Sequence, residues 1–229
     1  MSDTGFDLFA AARQEMIDEG FDPDFPPEVD QQLAVLKTRT VPNKDSGVRD
    51  LRSLLWSSID NDTSRDLDQA EVAERVGAGI RVLIAIADVD SDVPIESPID
   101  KHAAAQTTTV YTGIRTFSML PEQLSTDLTS LNQDVDRLAV VVDMEVATDG
   151  SLTSGSIYRA LVRNRAQLTY NGAGAWLEGS SAVPPKVAAS AGLAAQLKLQ
   201  DEAAQILFEG EAAVGRLGHR PRRGRADDL

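Results

Sequence analysis

The chain has 229 residues, 42% of them hydrophobic and 25% charged, with a formal net charge of −14; that acidity argues against broad, nonspecific nucleic-acid binding through a basic surface. It holds no cysteine and only two histidines, His102 and His219. Disulfides, thiolate sites and a multi-histidine zinc centre are thereby excluded, so a metal would have to rest on carboxylates and be a hard cation such as Mg²⁺, Mn²⁺ or Ca²⁺.

From the N-terminus, residues 6–19 have helical spacing (Phe6, Phe9, Ala10, Met16, Ile17) and stop at Gly20. The proline-rich stretch Phe21–Pro27 reads as a connector. A second helix is expected from Pro27 to about Lys37 and a linker over Val41–Gly47, with the main domain starting near Val48. This N-terminal arm is acidic: residues 1–34 hold nine carboxylates against Arg13 alone. A short strand should end at Leu54-Leu55-Trp56. Ile80–Val89, nearly continuous and rich in β-branched residues, reads as a central strand buried on both faces. Ser97-Pro98-Ile99-Asp100 has the form of an N-cap, a first-turn proline and an acidic third position, so a helix should run to about Thr108.

Pro121–Leu128 is a second short helix candidate. Strands are expected at Leu138–Ala147 and Ser156–Val162, joined tightly at Asp149-Gly150. Lys186–Leu217 is rich in Ala, Leu, Gln and Glu and should be helical, with Gly192 and Gly210 as points of interruption. The resulting class is α+β (mixed α/β), a mixed sheet flanked by helices. The division is an acidic helical arm and linker (1–47), the main domain (48–214) and a basic disordered tail (215–229) containing Arg216, Arg220, Arg222, Arg223 and Arg225. No apolar run is long enough to cross a membrane and no signal peptide is visible, so a cytoplasmic location without membrane partners is expected.

The chemistry concentrates at residues 59–71, where Asp60, Asp62, Asp66, Asp68 and Glu71 crowd together. Three readings compete. Counted from Asp60, oxygen-bearing residues fall at the first, third, fifth, ninth and twelfth positions of a calcium loop. The sixth position, however, is Arg65 where a sharp turn needs Gly. As a magnesium site, Asp66 and Asp68 are two apart and point to one side of an extended segment, with Asp60 returning through a polar loop over 61–65. Two such ions can activate a water and stabilise a leaving oxygen in phosphodiester hydrolysis. The third reading is a solvated acidic loop capping nearby backbone, and spacing alone favours it.

The order of several segments adds a resemblance. Ser58-Ile-Asp-Asn-Asp-Thr-Ser-Arg-Asp-Leu-Asp-Gln-Ala70, Val82–Asp92, Pro98-Ile-Asp-Lys101, Tyr111 and Ser118–Ser125 resemble successive blocks of the ribonuclease II catalytic (RNB) domain. So do Ser130-Leu-Asn132, Val135-Asp-Arg-Leu138 and Ala166-Gln-Leu-Thr-Tyr170. The resemblance implies an Mg²⁺-dependent exoribonuclease that degrades single-stranded RNA from its 3′ end to nucleoside 5′-monophosphates. It implies Asp60, Asp66 and Asp68 as catalytic metal ligands and Tyr111 as an RNA-binding residue on which a base stacks. Gln69 stands at the family's fourth aspartate, offering a neutral oxygen in place of a charge.

The family's domain continues beyond the length present here, through an arginine in a Ser-Pro-Ile-Arg-like block, so the chain is expected to be its N-terminal portion. Such a chain would be a shortened, weakly active exoribonuclease; the alternative is a catalytically inactive RNA-binding or regulatory fragment.

Overall fold

The computed structural model describes residues 6–38 and 47–218, with side chains through Gly210. Most of the expected linker Val41–Gly47 and the tail from His219 onward lie outside those residues. Helix α1 (Leu8–Asp18) starts where Asp7 Oδ1 accepts the amides of Phe9 and Ala10 (2.9 and 3.0 Å). It ends before Gly20, whose φ of +87° a side chain would resist. Helix α2 (Pro27–Leu36) begins on the expected proline. Its Val29 and Leu33, one turn apart, are buried against Val93, Ile99 and Leu124. Helix α3 (Pro98–Gln106) opens with Ser97 Oγ accepting the Asp100 amide at 3.3 Å. Gln32 of α2 reaches the same helix start, donating to Ser97 Oγ (3.1 Å) and accepting from the Ile99 amide (3.0 Å). The acidic arm thus shares a core and a cap with α3.

The strands are β1 (Arg49–Asp50), β2 (Trp56–Asp60), β3 (Gln69–Val76), β4 (Gly79–Ala87), the hairpin β5 (Val110–Tyr111) and β6 (Thr116–Phe117), β7 (Asp136–Val146) and β8 (Leu152–Thr169). The sheet is mixed: β8 runs parallel to β1 and β2, and the other pairs are antiparallel. It also closes, because the order β8–β2–β3–β4–β7 returns to β8. A strand of 18 residues makes this possible. Its first part pairs with β7, and Asn164 and residues 166–169 near its end pair with β2, which is why β8 is far longer than the expected Ser156–Val162.

The interior of a five-strand ring is narrow, and its filling shows it. Ala70, Ala85, Ala139 and Ala160 surround Val72, Leu83, Val141, Val162 and one fully buried indole, Trp56. The indole N–H donates to Leu51 O at 2.8 Å.

The continuous apolar character of β4 follows from two coverings. Leu83 and Ala85 face the ring interior, while Ile80, Val82 and Ile84 pack outward with Leu199, Ala203 and Ile206 of α6 (Leu193–Gly218). The expectation of burial on both faces holds there and fails at Ile86, which is 44% exposed. The strand stops at Ala87 rather than Val89. The buried Asp88 turns out of the sheet toward Arg159, whose Nε lies 2.8 Å from its carboxylate.

Pro121–Leu128 contains a π-helical turn at Leu124–Leu128 in place of a regular helix. Gly192 (φ +87°) separates α6 from the one-turn α5 (Pro185–Ala188), whereas Gly210 lies within α6. A Cβ at Gly210 would come within 3.2 Å of Gly150 Cα, so the glycine lets the helix meet the β7–β8 turn. Helix α4 (Tyr170–Leu177), capped by Thr169, had no counterpart in the sequence reading.

The seam between β2 and β3 is thin, with Ser57 opposite Glu71 as its one registered pair. Two α6 side chains lie across it. Gln196 donates to Leu55 O (2.7 Å) and Gln200 to Glu71 O (3.2 Å). Burial beneath this helix pushes the Glu71 carboxyl up from its ordinary value.

One end of the ring is closed by polar groups. Arg81 binds Asp143 through two bonds of 2.8 and 2.6 Å, Tyr158 donates to Asp143 at 2.9 Å, and Arg49 stacks 3.5 Å over the Tyr158 ring. Chiefly through the Arg81 bonds, the Asp143 carboxyl sits below its ordinary range. A carboxylate with a depressed folded-state value contributes stability that is complete above its unfolded value, about 4. That contribution is lost as pH falls through the folded value. The melting temperature should therefore drop below about pH 4. In Arg81→Gln the acid-dependent part of the drop should shrink; thermal scans from about pH 2 to pH 6 measure it. An equally steep acid loss in the variant would contradict the assignment.

Candidate active site

The acidic run leaves the ring at the opposite end, between the end of β2 and the start of β3. Its conformation is dictated by Leu67, which is 1% exposed and packs into the ring core. In an extended segment the residues on either side of a buried one turn the other way. Asp66 and Asp68 accordingly are both exposed and line one cleft of about 1030 Å³.

Three side chains tie this segment down. Ser130 Oγ donates to Arg65 O (3.0 Å) and accepts the Leu67 amide (3.0 Å), and the Leu131 amide donates to Leu67 O (2.7 Å). Arg137 holds the other side of Ser130, donating to its carbonyl at 2.9 Å. Gln167 donates to Ser64 O at 3.4 Å.

Asp60 lies apart from the pair. Its Oδ1 accepts the Asn61 amide and the Ser64 hydroxyl, both at 2.7 Å, and it does not line the cleft. Gln69, the first residue of β3, is exposed and is also absent from the cleft wall. Glu71 belongs to β3 opposite Ile84. It therefore cannot close a calcium loop, and the strands β2 and β3 stand where that loop would need helices. Among the described residues, no group of three His, Cys, Asp or Glu side chains is placed to hold a metal ion. The acidic run does present two carboxylates to the cleft, Asp66 and Asp68. Two are enough for Mg²⁺, which completes its shell with waters and phosphate oxygens.

Much of the rest of the cleft comes from four places. Val29, Asp30 and Leu33 are supplied by α2, Ala87 by the end of β4 and Val89 by the turn after it, Tyr111 and Arg115 by the β5–β6 hairpin, and Pro121, Glu122, Ser125 and Thr126 by the segment 118–130. Tyr111 is 75% exposed, with its ring available as a platform. Its wall carries four acids (Asp30, Asp66, Asp68, Glu122) against two arginines (Arg65, Arg115). This acidic excess opposes an anionic ligand, and a bound cation would lower that opposition.

The family model for the RNB domain matches residues 48–220. The chain belongs to the RNB domain family. Ribonuclease R of Escherichia coli (strain K12) is 41% identical over 147 residues, which is 64% of this chain and 18% of that relative. Mycoplasma genitalium RNase R in complex with double-stranded RNA superposes with a TM-score of 0.72 at 26% identity, covering 87% of this chain and 34% of that one. The same protein in complex with ribose methylated single-stranded RNA gives 0.71 at 26% identity, over 87% and 30%. The chain thus spans less than half the length of these relatives.

Membership explains why the quoted blocks mattered. Ser130, Arg137 and Gln167 sit in three of them, far apart in sequence, and all three brace the segment that carries Asp66 and Asp68. Nothing in their residue types marks them individually. A serine, an arginine on a strand and a glutamine each read as surface polar groups until the fold brings them to one loop. Arg115 also lay outside the sequence reading.

Proposed function

We propose that this RNB chain carries part of the active centre of an exoribonuclease. In this reading it hydrolyses single-stranded RNA from the 3′ end to nucleoside 5′-monophosphates, in a shortened and weakly active form, in the cytoplasm. Residues 48–214 would form the catalytic portion, 1–47 its arm and 215–229 a basic tail. The observation that carries the reading is the pairing of Asp66 and Asp68 with the exposed ring of Tyr111 in one cleft.

Asp66 and Asp68 would hold Mg²⁺ directly, and Asp60 and Gln69 would join them on rearrangement of the 61–65 loop. When bound, Mg²⁺ supplies an activated water and a counter-charge for the leaving oxygen. Tyr111 would stack a base irrespective of its identity, which suits a nuclease without sequence preference. The two RNase R structures with RNA support RNA as the ligand class. No helix among the described residues is long and apolar enough to cross a membrane.

Incubation with 3′-labelled single-stranded RNA and Mg²⁺ should release labelled nucleoside 5′-monophosphate, and EDTA should stop it. A second reading, a catalytically inactive RNA-binding or regulatory fragment, is favoured by the internal bonds that occupy Asp60. Retained RNA binding without nucleotide release would select it.

A further inference from the structure

Arg115 is held unlike the other arginine of the cleft. Arg65 already lies 3.2 Å from Glu122. The Arg115 guanidinium carbon instead sits 4.9 Å from the ring centroid of Phe9 and 5.2 Å from that of Phe117. One ring comes from α1 and the other from β6, so elements distant in sequence meet on this side chain. Phe117 is buried and Phe9 half-exposed.

The Arg115 backbone is fixed as well. The Thr112 hydroxyl donates to Arg115 O (2.6 Å) and accepts its amide (3.0 Å). Among the described residues the guanidinium makes no hydrogen bond or ion pair. Contact with aromatic rings engages the face of a guanidinium and leaves its in-plane N–H donors available, and those donors match the oxygens of a phosphodiester. Four residues earlier on the same hairpin stands the exposed Tyr111 ring. A stacking face beside a phosphate grip is the pairing that a single strand of any sequence requires.

We propose that Arg115 binds a backbone phosphate of the RNA strand in the cleft. On this proposal α1 belongs to the substrate site, because Phe9 braces that arginine. The inference rests on the RNA reading above and adds a positioning residue and an element to it. It also gives the acidic arm a purpose that its charge conceals: the arm contributes an aromatic ring beside the cleft, although its Asp30 adds a carboxylate to the cleft wall and its Asp24 pairs with Arg13.

The test uses the full chain in an Asp68→Asn background without divalent cation, with fluorescence anisotropy of a labelled oligoadenylate over a KCl series. Arg115→Met should weaken binding about tenfold and reduce the slope of log K against log salt by about 0.7, the value for one lost single-strand phosphate contact. Phe9→Leu should weaken binding about twofold to threefold with the slope retained, because the charge remains.

Unchanged affinity and slope in Arg115→Met would overturn the phosphate grip and leave the RNA reading standing. Unchanged affinity in Phe9→Leu would overturn the bracing role of α1. A parent that fails to bind while the wild type releases nucleotides with Mg²⁺ would overturn the grip alone. Absence of both binding and release would overturn the RNA reading with it.

Discussion

Asp68→Asn should abolish Mg²⁺-dependent release of mononucleotides, with a fall of at least about 100-fold. Outer-shell changes at metal sites already cost 10–100-fold, and on the proposed function this one removes a direct ligand. The substitution keeps the shape of the side chain and removes one of the two carboxylates that the acidic run turns into the cleft. It should leave the fold intact. Asp68 is exposed, and its structural contribution is the main-chain oxygen that accepts the Ala87 amide at 2.9 Å. Stability should change by less than about 0.5 kcal/mol, as for other surface substitutions. Nucleotide release and urea unfolding on the same preparation separate the two effects. A variant that releases nucleotides like the wild type would remove Asp68 from the site.

Asn164→Leu should be the most damaging change to stability, with an expected loss of about 3–5 kcal/mol. Asn164 is 1% exposed and sits where the β2–β8 register slips between Trp56 and Ser57. Its Nδ2 donates to Ser58 Oγ (2.8 Å) and Leu131 O (2.9 Å), and its Oδ1 accepts the Ala166 amide (3.1 Å). Leucine has similar volume and satisfies none of them, so groups in the ring wall would be left without partners. The effect reaches the site through Leu131, whose amide holds the Leu67 carbonyl between Asp66 and Asp68. Urea unfolding should show the loss, and a shift below about 1 kcal/mol would mean that water or a neighbour takes over these bonds.

Much of the local structure was legible because it is local. The Ser97 cap, the Pro27 and Pro98 helix starts and the Asp149-Gly150 turn depend on a few adjacent residues, and each is where the spacing put it. The alternation Asp66-Leu67-Asp68 also carries its own message: burying the leucine turns both carboxylates outward. The ordered blocks identified the family, and the family match and the fold agree with them.

What remained hidden depends on contacts between distant residues of unremarkable type. Closure of the ring requires Thr169 to pair with Asp60 across more than a hundred residues, and no local pattern in β8 announces a second partner. Gln196 and Gln200 read as solvent-facing helix residues, yet they cover the β2–β3 seam.

By itself, then, the sequence determined most of the element types, the family and the way Asp66 and Asp68 share a face, since spacing along one chain dictates which side chains share a face. Only the tertiary structure decided that Asp60 stays with its own loop, that α2 walls the cleft and that Phe9 reaches Arg115. Such meetings are set by packing and hydrogen bonding between elements, which many sequences with the same local pattern would satisfy differently.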